Sequence, residues 1–531
     1  MRGRSGSMSF ARRPRRGLPS LAFGSLRAAL ALAARCARGR EPEALVALAL
    51  AAFAGLRVLG FALAFPFFTN VDEFRHVDMA LKYARGYVPG RETDAYEAET
   101  RRLVAILGSP EYHRDARSRS PLPPPVWRAG PEVLAQRIAR MEAELAPIHN
   151  LEANQSPFYY TVAGAWLRLG RAFGFDGGPL LYWLRGLAAP AAFALVLAAH
   201  RVLRRATPRS RFVRLGVPAL LACVPQDCVY YATSDALSPL LGGIAFLLCV
   251  DLALRAAPGA WRGAAAGAVG AAAILTKLPN AMLVPVAAFC AVAGRVGGRA
   301  PGADGRRCAW LALFATLCLP VAWWLARNAL LLGDPMGDAR KIETLGWGLR
   351  PLGEWLAHPL LGPEGLAAFL AGLARTFWRG EIAWNQATLA LPAADRIYVG
   401  ASAVCLALAA AGLCGARPRG ERVAEGAAWL AVLSALAILA WLSVRFSYGA
   451  ATNPSLERPW FANGRLVSGV LVPFALLFVR GIERGAAALP ECWRERGAWT
   501  ALGAILAVAC ASEALLSAPV FGSPYNFFRL P

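Results

Sequence analysis

The sequence is poor in charged residues and in lysine, and each shortage narrows the possible classes of protein. Only 17% of the 531 residues are charged, while 56% are hydrophobic, a composition too apolar for an ordinary soluble globular protein. Lysine occurs only at Lys82, Lys277 and Lys341, so arginine supplies nearly all of the positive charge. A lysine retained beside a hydrophobic segment is therefore a candidate for a specific role.

Metal-binding cysteine patterns and a cleavable signal peptide are also missing. The eleven cysteines show neither a C-x-x-C pair nor the Cys/His spacing of a metal site, which argues against a zinc module. Most of them lie in apolar segments, where a thiol packs as a small hydrophobic group. No small-residue cleavage site follows the basic N-terminus, so we expect it to be a cytoplasmic tail.

What the sequence does contain is a series of apolar runs of about 17 to 25 residues, each long enough to cross a bilayer. The runs predict an all-α polytopic membrane protein with about 11 transmembrane helices. The predicted spans are 45–67, 180–200, 214–230, 237–254, 263–276, 278–294, 308–332, 396–415, 424–444, 464–480 and 498–517.

Arginine-rich loops between the spans predict the orientation, because basic residues mark the cytoplasmic side, and they account for most of the net charge of +23. These loops fall on one side only if residues 157–173 form a membrane-surface helix with interfacial aromatics instead of a span. The N-terminus is then inside and the C-terminus outside a bacterial cytoplasmic (inner) membrane. The basic loops are 201–214, 255–262, 294–307, 416–422 and 481–497.

This orientation divides the chain into six segments, of which the two long extracytoplasmic loops are the best places for function. The first loop predicts an amphipathic helix after Asp72, two further helices and a Pro-rich stretch between them. The segments are a basic tail at 1–44, the first transmembrane helix at 45–67, a loop at 68–178, a helix bundle at 179–332, a loop at 333–395 and C-terminal helices with a short external tail at 396–531.

Asp72 and Glu73 stand side by side in FPFFTNVDEFRH, directly after the first span. Carboxylates at a membrane surface are costly unless they are solvated, paired or bound, and they often mark the working site of a membrane protein. The alternative is structural, because acidic residues also favour a helix N-terminus.

Three cations lie at the extracytoplasmic ends of spans, where the orientation rule does not expect them: Lys277, Arg327 and Arg465. Each can be an interfacial anchor. Together with the acidic pair they form a candidate site for a phosphate whose ester carries a hydrocarbon tail, since Arg and Lys bind phosphate oxygens. Asp235 is a further candidate, although Ser-Asp before an apolar run also caps a helix.

The order of motifs resembles a known class of enzymes. NVDEFRH after the first span, NQSPFYY, TKLPN, ARNALLLGDP and a late GRL are similar to motifs of the GT-C membrane glycosyltransferases, the clan of protein O-mannosyltransferases and lipid A aminoarabinose transferase. The similarity covers about residues 45 to 480 and is nearest to a bacterial branch with P-D-E-x-x-H and P-P-x-Y-Y signatures. The chain lacks the Pro before its acidic pair and has Ser156 at the first Pro of the second signature.

The resemblance implies roles for individual residues. Asp72 would be the general base, its neighbour Glu73 would be a second catalytic residue that orients the acceptor, and the donor would be a polyprenyl-phosphate sugar. The phosphate leaves the anomeric carbon in a single inverting displacement, and nearby cations stabilise its charge. The predicted substrate and lipid-phosphate ligands are Lys277, Arg327, Arg465, His76, Tyr159 and Asp235.

Carboxylates such as Asp72, Glu73 and Asp235 would suit Mg²⁺ or Mn²⁺, but we expect no obligatory metal. The acceptor is a lipid, glycan or protein of the envelope, and no nucleic acid is involved. A transporter or lipid flippase is one alternative, although it would keep charges at mid-span and in structural repeats, where this sequence has few. A non-catalytic envelope assembly protein of the same fold is the other.

Overall fold

The computed structural model of the protein describes residues 42–69, 72–87, 95–113, 122–295, 303–385, 387–415, 417–448 and 454–527. Within these ranges the chain is built mostly of α-helices, as the sequence predicts. The helices up to residue 206 are α1 (Pro42–Ala64), α2 (Glu73–Ala84), α3 (Ala98–Leu107), α4 (Pro110–His113), α5 (Pro131–Leu145), α6 (Phe158–Ala172), α7 (Gly177–Arg185) and α8 (Ala188–Ala206).

Eleven further helices follow. They are α9 (Arg211–Cys223), α10 (Ser238–Leu254), α11 (Ala260–Ile274), α12 (Leu283–Arg295), α13 (Ala303–Leu332), α14 (Ala339–Thr344), α15 (Pro363–Arg379), α16 (Pro392–Ala411), α17 (Arg419–Arg445), α18 (Leu471–Ala486) and α19 (Glu491–Phe521). Four short strands form two antiparallel pairs, β1 (Trp347–Leu349) with β4 (Phe446–Tyr448) and β2 (Ala383–Trp384) with β3 (Ala387–Thr388).

Nine helical segments of the described chain are long and apolar enough to cross a bilayer, and the protein is accordingly a multi-pass membrane protein. Two shorter helices, α9 and α11, coincide with the remaining predicted spans but have only 13 and 15 residues. The total of 11 crossings therefore stays a prediction. The nine segments are Pro42–Ala64, Gly177–Ala206, Ser234–Leu254, Leu278–Arg295, Asp304–Leu332, Pro392–Ala411, Arg419–Arg445, Gly464–Ala486 and Glu491–Phe521.

The span Gly464–Ala486 lies at the centre of the bundle. Of its most apolar 18-residue stretch, 89% is buried inside the protein, whereas the corresponding share for the first span is 22%. Helices α9, α16, α17 and α19 pack around it, which is possible because apolar residues occupy all of its sides along most of its length. The arginine near its start, Arg465, is therefore held in the middle of the molecule.

Close helix packing elsewhere depends on small residues. Gly263 and Gly267 of α11, four residues apart on one helix face, meet the backbone of Ala309 and Leu313 in α13. A Cβ at either glycine would overlap a carbonyl oxygen of α13. Such spacing of small residues lets two membrane helices approach closely.

The connections lie at the two ends of the bundle. We call the end that carries the described parts of 65–176, 333–391 and 446–463 the loop face, and the opposite end the arginine face. At the arginine face the buried Glu425 is in ion-pair contact with three arginines. Which face is cytoplasmic stays a prediction. The three arginines are Arg417, Arg480 and Arg484.

The first long loop contains the helices that the sequence predicts there, namely α2, α3 and α5. Helix α6 corresponds to the predicted surface helix, has 15 residues and is not among the nine candidate spans. The backbone N–H of Phe158 at its start donates to the carbonyl of Leu275 at 3.0 Å, which ties this helix to the end of α11.

The interior of the spans is not empty of charge, contrary to our expectation. Arg57 of α1 donates to Glu513 of α19 at 2.6 Å and to the hydroxyl of Tyr230 at 2.9 Å. The two charged residues are 456 positions apart in the chain, so no local pattern in the sequence could show that they neutralise each other.

Candidate active site

Arg465 is the centre of a charged cluster at the loop face. Its guanidinium lies 3.6 Å from Asp72, 3.5 Å from Asp235 and 3.6 Å from Glu381. These distances exceed the 2.7–2.9 Å typical of charge-assisted hydrogen bonds. Its side chain is 24% exposed. The guanidinium is thus surrounded by negative charge without being committed to one carboxylate.

Asp72 reaches this cluster from the turn that precedes α2. It is the N-cap residue of that helix, yet its side chain makes no capping hydrogen bond. The Asp72 carboxylate lies 3.7 Å from Arg75 as well as 3.6 Å from Arg465, and it is 18% exposed. The structural alternative, an acidic residue that favours the N-terminus of α2, stays open, because Asp72 is the N-cap residue of that helix.

Asp235 and Lys277 form the second pair of the cluster. Asp235 is buried in the 3-10 turn Ser234–Ala236 that opens a span, and Thr233, not Asp235, is the N-cap residue of that turn. The ammonium of Lys277 is in direct contact with the Asp235 carboxylate. Two of the predicted phosphate ligands, Lys277 and Arg465, therefore share one carboxylate.

Glu381 joins the cluster because the chain turns sharply at Gly380, after α15 ends. Gly380 has φ of +72°, and a Cβ there would collide with the carboxyl group of Asp227. The buried Asp227 accepts the backbone N–H of Glu381 at 3.2 Å. Asn463 donates to the Glu381 carboxylate at 2.6 Å, which holds that side chain beside Arg465.

A second ion pair borders the cluster. Lys341 of α14 donates to Glu152 at 2.8 Å. Burial alone would raise the pKa of Glu152, but the charge of Lys341 and its hydrogen bond outweigh burial and hold the pKa below its ordinary value. Burial would lower the pKa of Lys341, whereas Glu152 and Asp72 raise it above its ordinary value. Both partners are therefore charged at neutral pH.

His76 lies buried behind Asp72, on α2. Its Nδ1 is hydrogen-bonded to the hydroxyl of Tyr160 at 2.8 Å. Burial lowers the pKa of His76 to about 4, so the ring is neutral at pH 7. Tyr159 packs edge-on against His76 at 6.1 Å between ring centroids. Both of these predicted ligands, His76 and Tyr159, are thus buried in the interior.

Glu73 points away from Arg465 and into the protein. Its carboxylate receives two hydrogen bonds from Arg185, both at 2.7 Å, and further ones from the backbone of Phe68 and Ala232 at 2.9 and 3.0 Å. Arg185 also donates to three carbonyls near the end of α1. This fully paired carboxylate is unsuited to the catalytic role expected for it, so we assign Glu73 a structural role.

Arg327 also differs from its expected position. Its guanidinium lies 4.7 Å over the ring of Trp324 and donates to Asn328 at 2.9 Å. Among the described residues, the cations that form ion pairs with Asp72 or Asp235 are Arg75, Lys277 and Arg465. A phosphate-binding role for Arg327 stays a prediction.

Four residues that the sequence analysis did not select contribute to the site. Lys341 could have been selected, because it is one of three lysines in the chain. The acidic residues lie in segments with no distinctive motif, and only the tertiary structure places them beside cations. The four residues are Glu152, Asp227, Lys341 and Glu381.

An apolar cavity of about 310 Å³ lies between α15, α16, α17 and the start of the central span. Its wall includes Phe377, Val467, Val470 and Phe474, with Ser402 as a polar member. Val467 is two residues beyond Arg465, so the cavity begins close to the charged cluster. Within the described chain, no three His, Cys, Asp or Glu side chains converge as they would around a metal ion.

No protein-family model matches the sequence, and no curated protein matches it. Among the solved structures that resemble the chain in three dimensions are two of the oligosaccharyltransferase of Archaeoglobus fulgidus. The complex with Zn and sulfate is 15% identical, with a TM-score of 0.39, over 68% of this chain and 44% of that protein. The apo form is 12% identical, with a TM-score of 0.40, over 90% of this chain and 56% of that protein. The chain spans about half the length of that protein.

Proposed function

We propose that the protein is a membrane glycosyltransferase that moves a sugar from a polyprenyl-phosphate donor to an envelope acceptor at the extracytoplasmic side. The observation that carries this proposal is the position of Arg465. It lies among Asp72, Asp235 and Glu381, with Lys277 nearby, where the central span meets the loop face. A lipid-linked phosphate needs such a place, with fixed cations next to hydrocarbon.

The donor phosphate would bind Arg465 and Lys277. The ion pairs of the cluster join four carboxylates to four basic side chains. Burial and the charge of Arg465 lower the pKa of Lys277 to about 7, and the negative charge of a bound phosphate would hold this lysine in its protonated form. Arg465 can meet the phosphate because none of its three carboxylate contacts is at ideal hydrogen-bond distance. The carboxylates are Asp72, Glu152, Asp235 and Glu381, and the basic side chains are those of Arg75, Lys277, Lys341 and Arg465.

The isoprenoid chain of the donor would lie in the apolar cavity. Phe377 and Val467 place the near end of the cavity beside Gly464 and Arg465, and the remaining wall follows the spans toward the hydrocarbon. When the isoprenoid chain moves from the lipid into this cavity, it leaves one apolar environment for another. We therefore assign most of the donor's specific binding energy to the phosphate and the sugar.

Asp72 is the residue we assign as general base. It would take the proton of an acceptor hydroxyl or amine as the acceptor oxygen or nitrogen bonds to the anomeric carbon. The bond from that carbon to the phosphate oxygen breaks in the same step, its electron pair goes to the phosphate, and the configuration inverts. Arg465 and Lys277 stabilise the growing charge on the phosphate, an effect typically on the order of a hundredfold or more in rate for each group.

The test is sugar transfer by the purified protein. Wild type and Asp72→Asn are incubated in lipid vesicles with radiolabelled polyprenyl-phosphate mannose and a membrane extract as acceptor. We expect wild type to consume the lipid-linked sugar and Asp72→Asn to do so at least about a hundredfold more slowly. Asp304→Asn, an exposed carboxylate at the arginine face, is the matched control. Equal consumption by wild type and Asp72→Asn removes Asp72 from the mechanism.

One observation favours the second candidate, a transporter or flippase. The ion pair of Arg57 and Glu513 lies inside the spans, where transporters keep charged groups. In the same vesicles, a flippase would move the labelled lipid between leaflets without consuming it. Lipid movement that Arg57→Gln abolishes, with no sugar transfer by wild type, would establish that function instead.

A further inference from the structure

Exposed leucines are concentrated in one part of the second long loop. Leu352 and Leu356 are 75% and 89% exposed, and further exposed leucines precede and follow them. Exposed apolar groups at this density mark a contact with another molecule or with lipid. We call this set the leucine surface; its members are Leu349, Leu352, Leu356, Leu361, Leu366 and Leu370.

The start of the leucine surface is fixed at the level where a span ends. Strand β1 pairs with β4 so that Leu349 lies opposite Phe446, and the N–H of Arg350 donates to the carbonyl of Arg445 at 2.9 Å. Arg445 is the last residue of α17. Its guanidinium lies 5.1 Å from the ring of Trp441, a pairing typical of the membrane–water interface.

The other end of this region is fixed at the same face. Thr376 of α15 donates to the carbonyl of Ala462 at 2.6 Å and accepts the N–H of Gly464 at 2.8 Å. Gly464 opens the span that follows α17, and consecutive spans joined by a loop meet that loop at one face. The region between residues 349 and 376 therefore begins and ends at the loop face and does not cross the bilayer.

Composition and shape agree with a segment inside the bilayer. The 3-10 turns in Leu352–Leu361 and helix α15 are together long and apolar enough to cross a bilayer, but they meet at an angle of 66°. Helix α15 is amphipathic: Phe369, Leu373 and Phe377 are buried against the bundle. Leu366 and Leu370, four residues apart, lie on the same side of the helix as these three residues and form the exposed edge of its apolar face.

We propose that residues 347–370 lie within the leaflet at the loop face, with the leucine surface among lipid acyl chains. Lipid is the partner that the structure favours over a second protein. The hydrogen bonds at both ends hold the segment at interfacial depth, and its most exposed leucines, Leu352 and Leu356, lie between these two ends. Leu370 also lines the apolar cavity, so the cavity opens into the bilayer beside the leucine surface.

The test uses photocrosslinking in the full-length protein and does not depend on any catalytic activity. p-Benzoylphenylalanine replaces Leu356 or Leu352, and the protein is reconstituted in vesicles of phosphatidylglycerol and phosphatidylethanolamine, with the latter tritiated. The matched control carries the same group at Val133, which is 53% exposed on the charged helix α5. Unchanged melting temperatures verify that all variants are folded.

On irradiation we expect the Leu356 and Leu352 variants to take up several-fold more tritium than the Val133 variant. Equal labelling at the three positions would place the leucine surface in water and overturn the proposal. A crosslinked species of twice the mass, without lipid label, would show that a second copy of the chain covers the leucine surface, and would overturn it as well.

Discussion

The three lysines of the chain share one kind of environment. Lys82 pairs with Asp78 at 2.8 Å, Lys341 pairs with Glu152 at 2.8 Å, and Lys277 contacts Asp235. All three pairs lie at the loop face, although arginine supplies the positive charge almost everywhere else in the chain. An ammonium is compact and acts as a point charge, whereas a guanidinium is broad and planar. Lysine thus occurs where one carboxylate must be neutralised in little space.

Arg465 differs from these lysines because it faces three carboxylates at once. In Arg465→Ala, Asp72, Asp235 and Glu381 would face one another without their shared cation. We expect sugar transfer to fall by about a hundredfold or more. We also expect Mn²⁺ to raise the melting temperature of this variant by taking the place of the guanidinium.

The wild type should respond neither to added Mn²⁺ nor to removal of metal. Because its guanidinium already occupies the space among the carboxylates, we expect EDTA to leave sugar transfer unchanged and Mn²⁺ to leave the melting temperature unchanged. Arg340→Ala, an exposed arginine of α14, is the control for loss of a loop-face cation. Equal stabilisation of wild type by Mn²⁺ would contradict this account of Arg465.

His76 provides a prediction about pH. Its pKa is about 4 in the folded protein because burial disfavours the charged ring, while an exposed histidine has a pKa of about 6.5. Between these values the unfolded state binds a proton that the folded state does not, so stability is lost as pH falls from about 6.5 to 4.

Replacement of His76 by Gln should remove that part of the pH dependence, because an amide does not titrate. The measurement is the melting temperature of the detergent-solubilised protein from pH 7.5 to pH 4.5. We expect a shallower decline for His76→Gln than for wild type. The exposed His149 supplies the control His149→Gln, which should follow the wild type. Identical slopes for His76→Gln and wild type would show that another group controls acid stability.

At the scale of elements, the buried pair of Glu73 and Arg185 joins four parts of the chain. It connects the end of α1, the start of α2, helix α7 and the backbone at Ala232, which precedes Asp235. The five N–H donors of Arg185 have five recorded acceptor contacts. The pair therefore fixes the turn of Asp72 relative to the turn of Asp235.

Breaking this pair should be costly. Glu73→Gln leaves the buried Arg185 without a counter-charge, and we expect a loss of about 3–5 kcal/mol of stability. Removing both charges in Glu73→Gln/Arg185→Met should restore part of that loss, because no buried charge is then left unpaired. Thermal unfolding measures both, with the exposed Glu132→Gln as control. A double variant less stable than Glu73→Gln would argue against unpaired charge as the cause.

The side chains of Asp72 and Glu73 point to different places, and this difference shows what the sequence can and cannot predict at this scale. The motif correctly marks the turn after the first span, because an acidic pair at the start of an amphipathic helix is a local pattern. Adjacent helical residues point in directions about 100° apart. Which one faces the cluster depends on Arg185, 112 residues away, and no short motif contains that information.

For the whole molecule, periodicity and hydropathy predict the helical class, most spans and the helices of the first loop, because each depends on a single stretch of sequence. The ion pairs of Lys341 with Glu152 and Arg465 with Glu381 were missed because they join separate loops. The loop predicted at 333–395 contains α14, α15 and an apolar region. Thr376 of α15 is hydrogen-bonded to Ala462 and Gly464, which lie 86 and 88 residues further along the chain.

Orientation is a prediction for the whole molecule. A reporter fused after residue 205, next to the arginine face, should be active in the cytoplasm, and one fused after residue 120 should be active outside. The physical reason is the retention of arginine-rich loops on the cytoplasmic side. A fusion after residue 418, in another basic loop, serves as control and should match the fusion after residue 205. The reverse pattern would put Asp72 and Arg465 on the cytoplasmic side and contradict the proposed function.

The central span is held by arginine at both ends. Arg465 lies among three carboxylates at the loop face, and Arg480 pairs with Glu421, Glu425 and Glu483 at the arginine face, roughly 20–25 Å along the helix. A piston-like shift of this helix would break ion pairs at both ends together. We therefore expect any opening and closing that the proposed sugar transfer requires to come from the peripheral helices, with the central helix as the fixed axis about which they move.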